Sequence, residues 1–201
     1  EHRSTIALFQ KNPKYPLVSL SDIGSFYTEK VNPRSAPDEE ILLIETSCVD
    51  PATLTISPRR IKGRESNYTS LRRVRAGDIL ISRRRAYRGA IVVVPPELDG
   101  ALAIPEFSVL RLREGYDPNY VAEILRSPQF LDLMTIYSTG EMSGRIAEKE
   151  LRHFRIPLPQ DHPRFAAAFA ERRRQISALQ RQIGELEQEI AQLRTELIEG
   201  R

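Results

Sequence analysis

Magnesium-dependent cleavage of nucleic acid commonly needs an acid two residues ahead of a lysine, so that the carboxylate holds the ion beside the attacking water. The residues at that offset from the five lysines are Phe9, Asn12, Thr28, Arg60 and Ala147, and none is acidic. Methyl transfer to an exocyclic amine uses a short Asn/Asp-Pro-Pro-aromatic loop whose polar side chain and carbonyl hold the amine. Asn12-Pro13-Lys14-Tyr15 and Asp117-Pro118-Asn119-Tyr120 approach it. Both lack the second proline, neither follows an apolar strand, and no glycine-rich cofactor loop lies upstream. A turn and a helix cap account for them better. His2, His153 and His162 group neither with one another nor with the single cysteine, Cys48, which removes any zinc pattern. No local Ser-His-acid or Cys-His motif is visible. The expected catalytic residues, metal ligands and cofactors are therefore none, and the chain reads as a binder.

What remains is arginine. Between Arg59 and Arg88 stand eleven Arg or Lys residues against two acids, Glu65 and Asp78, a net +9 in a chain whose total is +3. Charge concentrated in this way is the footprint of a protein that displaces counterions from a polyanion, with nucleic acid the leading candidate. A guanidinium contacts phosphate or pairs bidentately with guanine O6 and N7, and an asparagine such as Asn67 pairs with adenine. The expected contacts are Arg59, Arg60, Lys62 and Arg64 ahead of the polar loop Asn67-Tyr68, then Arg72 and Arg73 behind it. Arg83, Arg84, Arg85, Tyr87 and Arg88 should stand on a projecting loop between two strands. For a lone arginine a solvated charged face is the simpler reading. Consecutive like charges such as Arg83, Arg85 and Arg88 repel one another on a tight loop and are easier to explain with a polyanion present.

These residues need a frame. At 201 residues, 40% hydrophobic and 28% charged, the chain suits one globular domain with an extended appendage. No apolar run approaches the roughly 20 residues of a membrane span and no signal peptide is visible, so the expected location is the cytoplasm. The chain begins with Glu1 rather than Met, which leaves room for an upstream domain. Residues 1–16, with Pro13 and Pro16, read as an incoming arm. Leu17 to Leu20 reads as a short strand leading into a helical turn over Ser21 to Gly24. Ile41 to Ile44, Thr53 to Ile56, Ile79 to Ser82, Ala90 to Val94 and Phe107 to Leu112 are short β-branched or apolar runs bounded by Pro, Gly or Asp, as strands are. Asp117-Pro118 and Ser127-Pro128 then open two helices, each a capping residue followed by proline. Residues 138–145 read as a glycine-rich surface loop, residues 148–151 as a short helix, and Ile156-Pro157-Leu158-Pro159 as extended. The predicted class is α+β: a strand-rich domain with short helices over 17–160, then a long coiled-coil helix over 161–201.

That last segment carries a heptad. Phe169, Ile176, Ile183, Ile190 and Leu197 fall seven apart, and Arg172, Leu179, Leu186 and Leu193 interleave three residues later, Arg172 being the one position that is not apolar. A stripe this narrow is a coiled-coil seam and needs a partner helix, parallel or antiparallel. The alternative is a helix packed along its own domain.

Several segments resemble one family, the specificity subunits of type I restriction-modification systems, at the size of half a subunit. They are Leu17 to Gly24, Gly77 to Arg83, Tyr120 to Leu125 with Ser127-Pro128, Gly144-Arg145-Ile146, Leu151 to Pro159, and the heptad helix as the conserved spacer. The resemblance implies a non-catalytic DNA target-recognition domain that reads one half-site and recruits an adenine methyltransferase or restriction partner. It implies paired helices that set the distance between half-sites, and it adds the loop holding Ser143 and Arg145 to the DNA contacts. A full subunit carries two such units and this chain has one, so either two copies form a homodimer or the unit was cut from a larger protein. A C-terminal recognition domain of a single-chain methyltransferase is one alternative, and a coiled-coil adaptor for acidic proteins is another.

Overall fold

The computed structural model describes residues 14–27, 29–85, 88–139 and 144–199. Its strands are β1 (Leu17–Ser19), β2 (Gly24–Tyr27), β3 (Lys30–Val31), β4 (Glu40–Ile44), β5 (Val49–Asp50), β6 (Thr55–Ile56), β7 (Arg59–Lys62), β8 (Leu71–Arg73), β9 (Ile79–Ser82), β10 (Ile91–Val93), β11 (Leu102–Ala103), β12 (Phe107–Leu112), β13 (Ser138–Thr139), β14 (Arg145–Ile146) and β15 (Arg155–Pro157). Its helices are α1 (Leu20–Ile23), α2 (Pro118–Leu125), α3 (Pro128–Ile136), α4 (Glu148–Arg152) and α5 (His162–Glu199). The α+β class is as the sequence predicts, strand-rich with short helices and ending in one long helix. Among the described residues no helix is long and apolar enough to cross a membrane, and no cluster of His, Cys, Asp or Glu is placed to hold a metal.

Six of the described strands make three two-stranded pairs, and the other nine form two sheets. One is antiparallel, in the order β10-β9-β12-β2; the other runs β3-β8-β11-β4-β7, with β11 and β4 parallel. Strand alternation puts successive side chains on opposite faces, and here both faces of the first sheet are apolar. Ile79, Ile81, Ile91 and Leu110 pack against Val121, Leu125, Phe130 and Met134 of the helices. Leu80, Val92, Phe107 and Val109 pack against Leu43, Ile44, Leu71 and Leu102 of the second sheet. The antiparallel sheet is thus the middle layer of three. β1 pairs with β15, so the start and end of the domain close on each other.

Local chemistry explains the element ends. Asp117 caps α2 by accepting from the amides of Asn119 (2.8 Å) and Tyr120 (3.1 Å), with Pro118 at the first helical position. The expected strand from Thr53 is shorter. Asp50 accepts from the amides of Ala52 (2.8 Å) and Thr53 (3.4 Å), and its carbonyl accepts from Leu54 (2.8 Å), so Thr53 and Leu54 form the turn and only Thr55 and Ile56 pair. Residues 138–146 are not wholly loop, because β13 pairs with β14. Of the expected N-terminal arm, residues 1–13 lie outside the described residues, while Tyr15 meets Phe165 edge-on at 6.2 Å.

α5 runs 38 residues, about 57 Å. Its first turns belong to the domain. Ala166 is buried there, and Tyr120 lies among His162 (5.6 Å), Phe165 (6.5 Å) and Phe169 (6.3 Å). Burial pushes the Tyr120 phenol up to about 12, and its hydroxyl donates to the Pro157 carbonyl at 2.8 Å. Arg173 donates to Glu123 (2.7 and 3.3 Å), which also accepts from Arg126, and Arg126 donates to the Ile91 carbonyl at 2.8 Å. Helix, helix and sheet are thereby pinned together. Burial raises the Glu123 carboxyl, but the two arginines outweigh it and hold it below its ordinary value. Phe169 is half-buried against its own domain, whereas Ile176, Leu179, Ile183, Leu186, Ile190, Leu193 and Leu197 are 41% to 83% exposed.

Candidate nucleic-acid interface

Register decides which of the cations meet. Leu43 lies opposite both Arg59 and Leu102, while Glu40 lies opposite Lys62. Arg72 lies opposite Ala103, and Ser82 lies opposite Phe107. One end of the two-sheet stack therefore gathers Arg59, Arg72, the turn Pro105-Glu106 and the loop that leaves β9 at Arg83. Lys62 and Arg64 sit at the other end of β4 and β7, and Arg73 turns away to donate to the Gly100 carbonyl at 3.3 Å. The thirty-residue charge run is split by the fold.

Much of it is also neutralised. Arg59 pairs with Glu45 at 2.8 Å, Arg60 with Glu40, and Arg64 with Asp38 at 2.6 Å. Tyr68 donates to Glu45 at 3.2 Å, and Asn67 beside it is exposed. Arg72 is mostly buried and donates to Glu148 at 2.9 Å and to the Tyr27 carbonyl at 3.3 Å. Glu148 accepts as well from Ser108 (3.0 Å) and Arg152 (3.3 Å). Burial raises its carboxyl and these donors, Arg72 foremost, bring it below the ordinary value. Arg72 thus braces the two sheets against α4.

The loop after β9 differs. Arg83 folds inward: its amide donates to the Glu106 carbonyl at 3.0 Å and its guanidinium to the Pro105 carbonyl. Burial lowers its pKa, and the neighbouring positive charges of Arg145 and Arg72 lower it further. Arg84, Arg85 and Arg88 point outward and exposed, and among the described residues no hydrogen bond or ion pair engages their side chains. The loop lies directly beside the β13–β14 hairpin. Arg84 bridges Arg145, the Arg85 amide donates to the Gly144 carbonyl (3.2 Å), and the Ile146 amide donates to the Arg83 carbonyl (3.0 Å). Arg145 reaches the Pro105 carbonyl at 3.5 Å. The two loops singled out in the sequence, 55 residues apart, form one continuous cationic edge. Tyr87 and Ser143, expected contacts, lie outside the described residues.

Sequence reasoning passed over Glu148, Pro105 and Glu106, which hold this edge in place. Glu148 shows itself in sequence only as an acid in the first turn of a short helix, a signal that says nothing of a partner 76 residues away.

Comparison with solved structures places the chain beside one group of proteins. It superposes on the HsdS subunit from Thermoanaerobacter tengcongensis with a TM-score of 0.71 and 24% identity, over 90% of this chain and 48% of that one. A chain from a structure of complex assembly and conformational transition in the type I R-M system gives 0.67 and 25%, over 92% and 46%. The type I restriction-modification S subunit from M. genitalium gives 0.50 and 11%, over 79% and 39%. No protein-family model matches the chain, and no curated protein matches it in sequence. The chain spans about half the length of the first two structural neighbours. The resemblance carried by its sequence segments is borne out in three dimensions.

Proposed function

We propose that this chain is the recognition half of a type I restriction-modification specificity subunit. Its domain reads one half-site in double-stranded DNA, and its long helix pairs with a second such helix to set the distance between half-sites. It performs no chemistry itself; a methyltransferase or restriction partner docked on the complex does. The observation that carries this reading is the edge built from Arg84, Arg85, Arg88 and the β13–β14 hairpin, where cations stand outward on a fold shared with HsdS. Arg59, Arg60 and Arg64 are each paired with an acid, whereas Arg84, Arg85 and Arg88 stand exposed on adjoining turns, and a guanidinium that reaches a major groove can pair with base edges.

Selection of bound sequences from random duplex DNA tests the reading. A half-site, or two half-sites around a spacer, is the expected result; enrichment of nothing overturns it. Replacing the outward Arg84, Arg85 and Arg88 together by alanine should abolish duplex binding at moderate salt. A recognition domain at the end of a longer methyltransferase chain is the second reading. The flanking gene sequence separates the two.

A further inference from the structure

Six of the described residues have backbone in the left-handed region, and four of them, Gly77, Gly89, Gly100 and Gly115, are glycine. Glycine takes that conformation freely; a residue with a Cβ does so at a cost. The other two are Leu54 (φ +59°) and Arg85 (φ +51°). Leu54 is recompensed by packing against the core between the two sheets. Arg85 makes no side-chain contact of that kind: it is exposed, and among the described residues neither an acid nor a carbonyl meets its guanidinium.

Its backbone is nevertheless held from both sides. Its amide donates to Gly144 at 3.2 Å, its carbonyl accepts from the Arg88 amide at 2.9 Å, and Arg84 before it bridges Arg145. Strain kept at a fixed point, with the side chain free, marks a direction that matters. A phosphate contact asks little of direction, since an arginine anywhere on an exposed loop can swing to reach one. A bidentate pair with a base edge does ask for it, because both N–H groups must lie in the plane of the base.

We propose that Arg85 is the base-reading residue of this edge, pairing with a guanine, while Arg84 and Arg88 beside it contact the backbone. The proposal rests on the DNA-recognition reading above and sharpens it. The experiment runs sequence selection and salt titration on the full chain and on Arg85→Ala and Arg85→Gly. If the parent chain selects no sequence, the recognition reading itself has failed. If it does, Arg85→Ala should lose discrimination at one G·C position by between about 5-fold and 150-fold. The other positions should be kept and the salt slope nearly unchanged. Uniform weakening with the salt slope reduced by about one makes Arg85 a phosphate contact and overturns the proposal, as does unchanged selectivity. Arg85→Gly should melt above Arg85→Ala, because only glycine relieves the left-handed strain; the reverse order removes the argument from strain.

Discussion

Replacing Glu148 by alanine strands Arg72. That arginine is only 15% exposed, Glu148 is 14% exposed, and the carboxylate is what Arg72 and Ser108 both donate to. Removing one partner of a buried ion pair costs about 3–5 kcal/mol, because the remaining charge stays desolvated and unpaired. Partial exposure places this pair at the low end, about 3 kcal/mol, which is a large share of a stability of roughly 5–15 kcal/mol. The melting temperature should fall by about 6–12 °C. The damage should also reach the cationic edge, since Arg72 then repels Arg83 without Glu148 to offset it. Denaturant titration at fixed protein concentration measures the first effect and duplex binding the second. The decisive control is the double variant Arg72→Met with Glu148→Leu, which removes both charges and should return to within about 1 kcal/mol of the parent. If Glu148→Ala costs less than about 1 kcal/mol, or the double variant is as unstable as the single, Glu148 is not the brace described above.

Other expectations concern the rest of the scaffold. Glu123 and Glu148 titrate below their ordinary value when folded, so their stabilisation is fully present above the unfolded glutamate value of roughly 4.3 and is lost as pH falls through the folded values. Glu123→Gln should flatten that acid limb in a pH series of melting curves. If α5 pairs with a second helix as proposed, Ile183→Glu with Leu186→Glu places charges on its exposed stripe and should abolish the pairing in sedimentation, with the domain's melting unchanged. Gly24→Ala would set a Cβ 2.7 Å from the Arg111 carbonyl oxygen and 2.9 Å from Leu110, and should cost about 1–3 kcal/mol in denaturant titration.

The elements were largely legible in the sequence because each is signalled locally: Asp117-Pro118 and Ser127-Pro128 open α2 and α3, and the heptad announces the long helix. The pairing of strands was not. Strands of two to five residues carry little register information of their own, so nothing local says that Glu40 and Glu45 on one side of a turn will silence Arg60 and Arg59 on the other. The charge run suggested a single patch and the fold divides it, since proximity in sequence stood in for proximity at one end of a sheet. Phe169 shows the same limit. Its heptad position is shared with Ile176, yet the aromatic pocket around Tyr120 takes it into the domain.

A middle sheet with apolar residues on both faces has little freedom to change, because any substitution on β9, β10 or β12 disturbs one core or the other. Variation is then confined to where the strands stop. The loop after β9 begins at such a stop, and the β13–β14 hairpin that follows α3 is joined to it through backbone bonds. Their outward residues are interchangeable as far as the scaffold is concerned. On the DNA-recognition reading proposed above, a transplanted loop pair should carry its sequence preference with it.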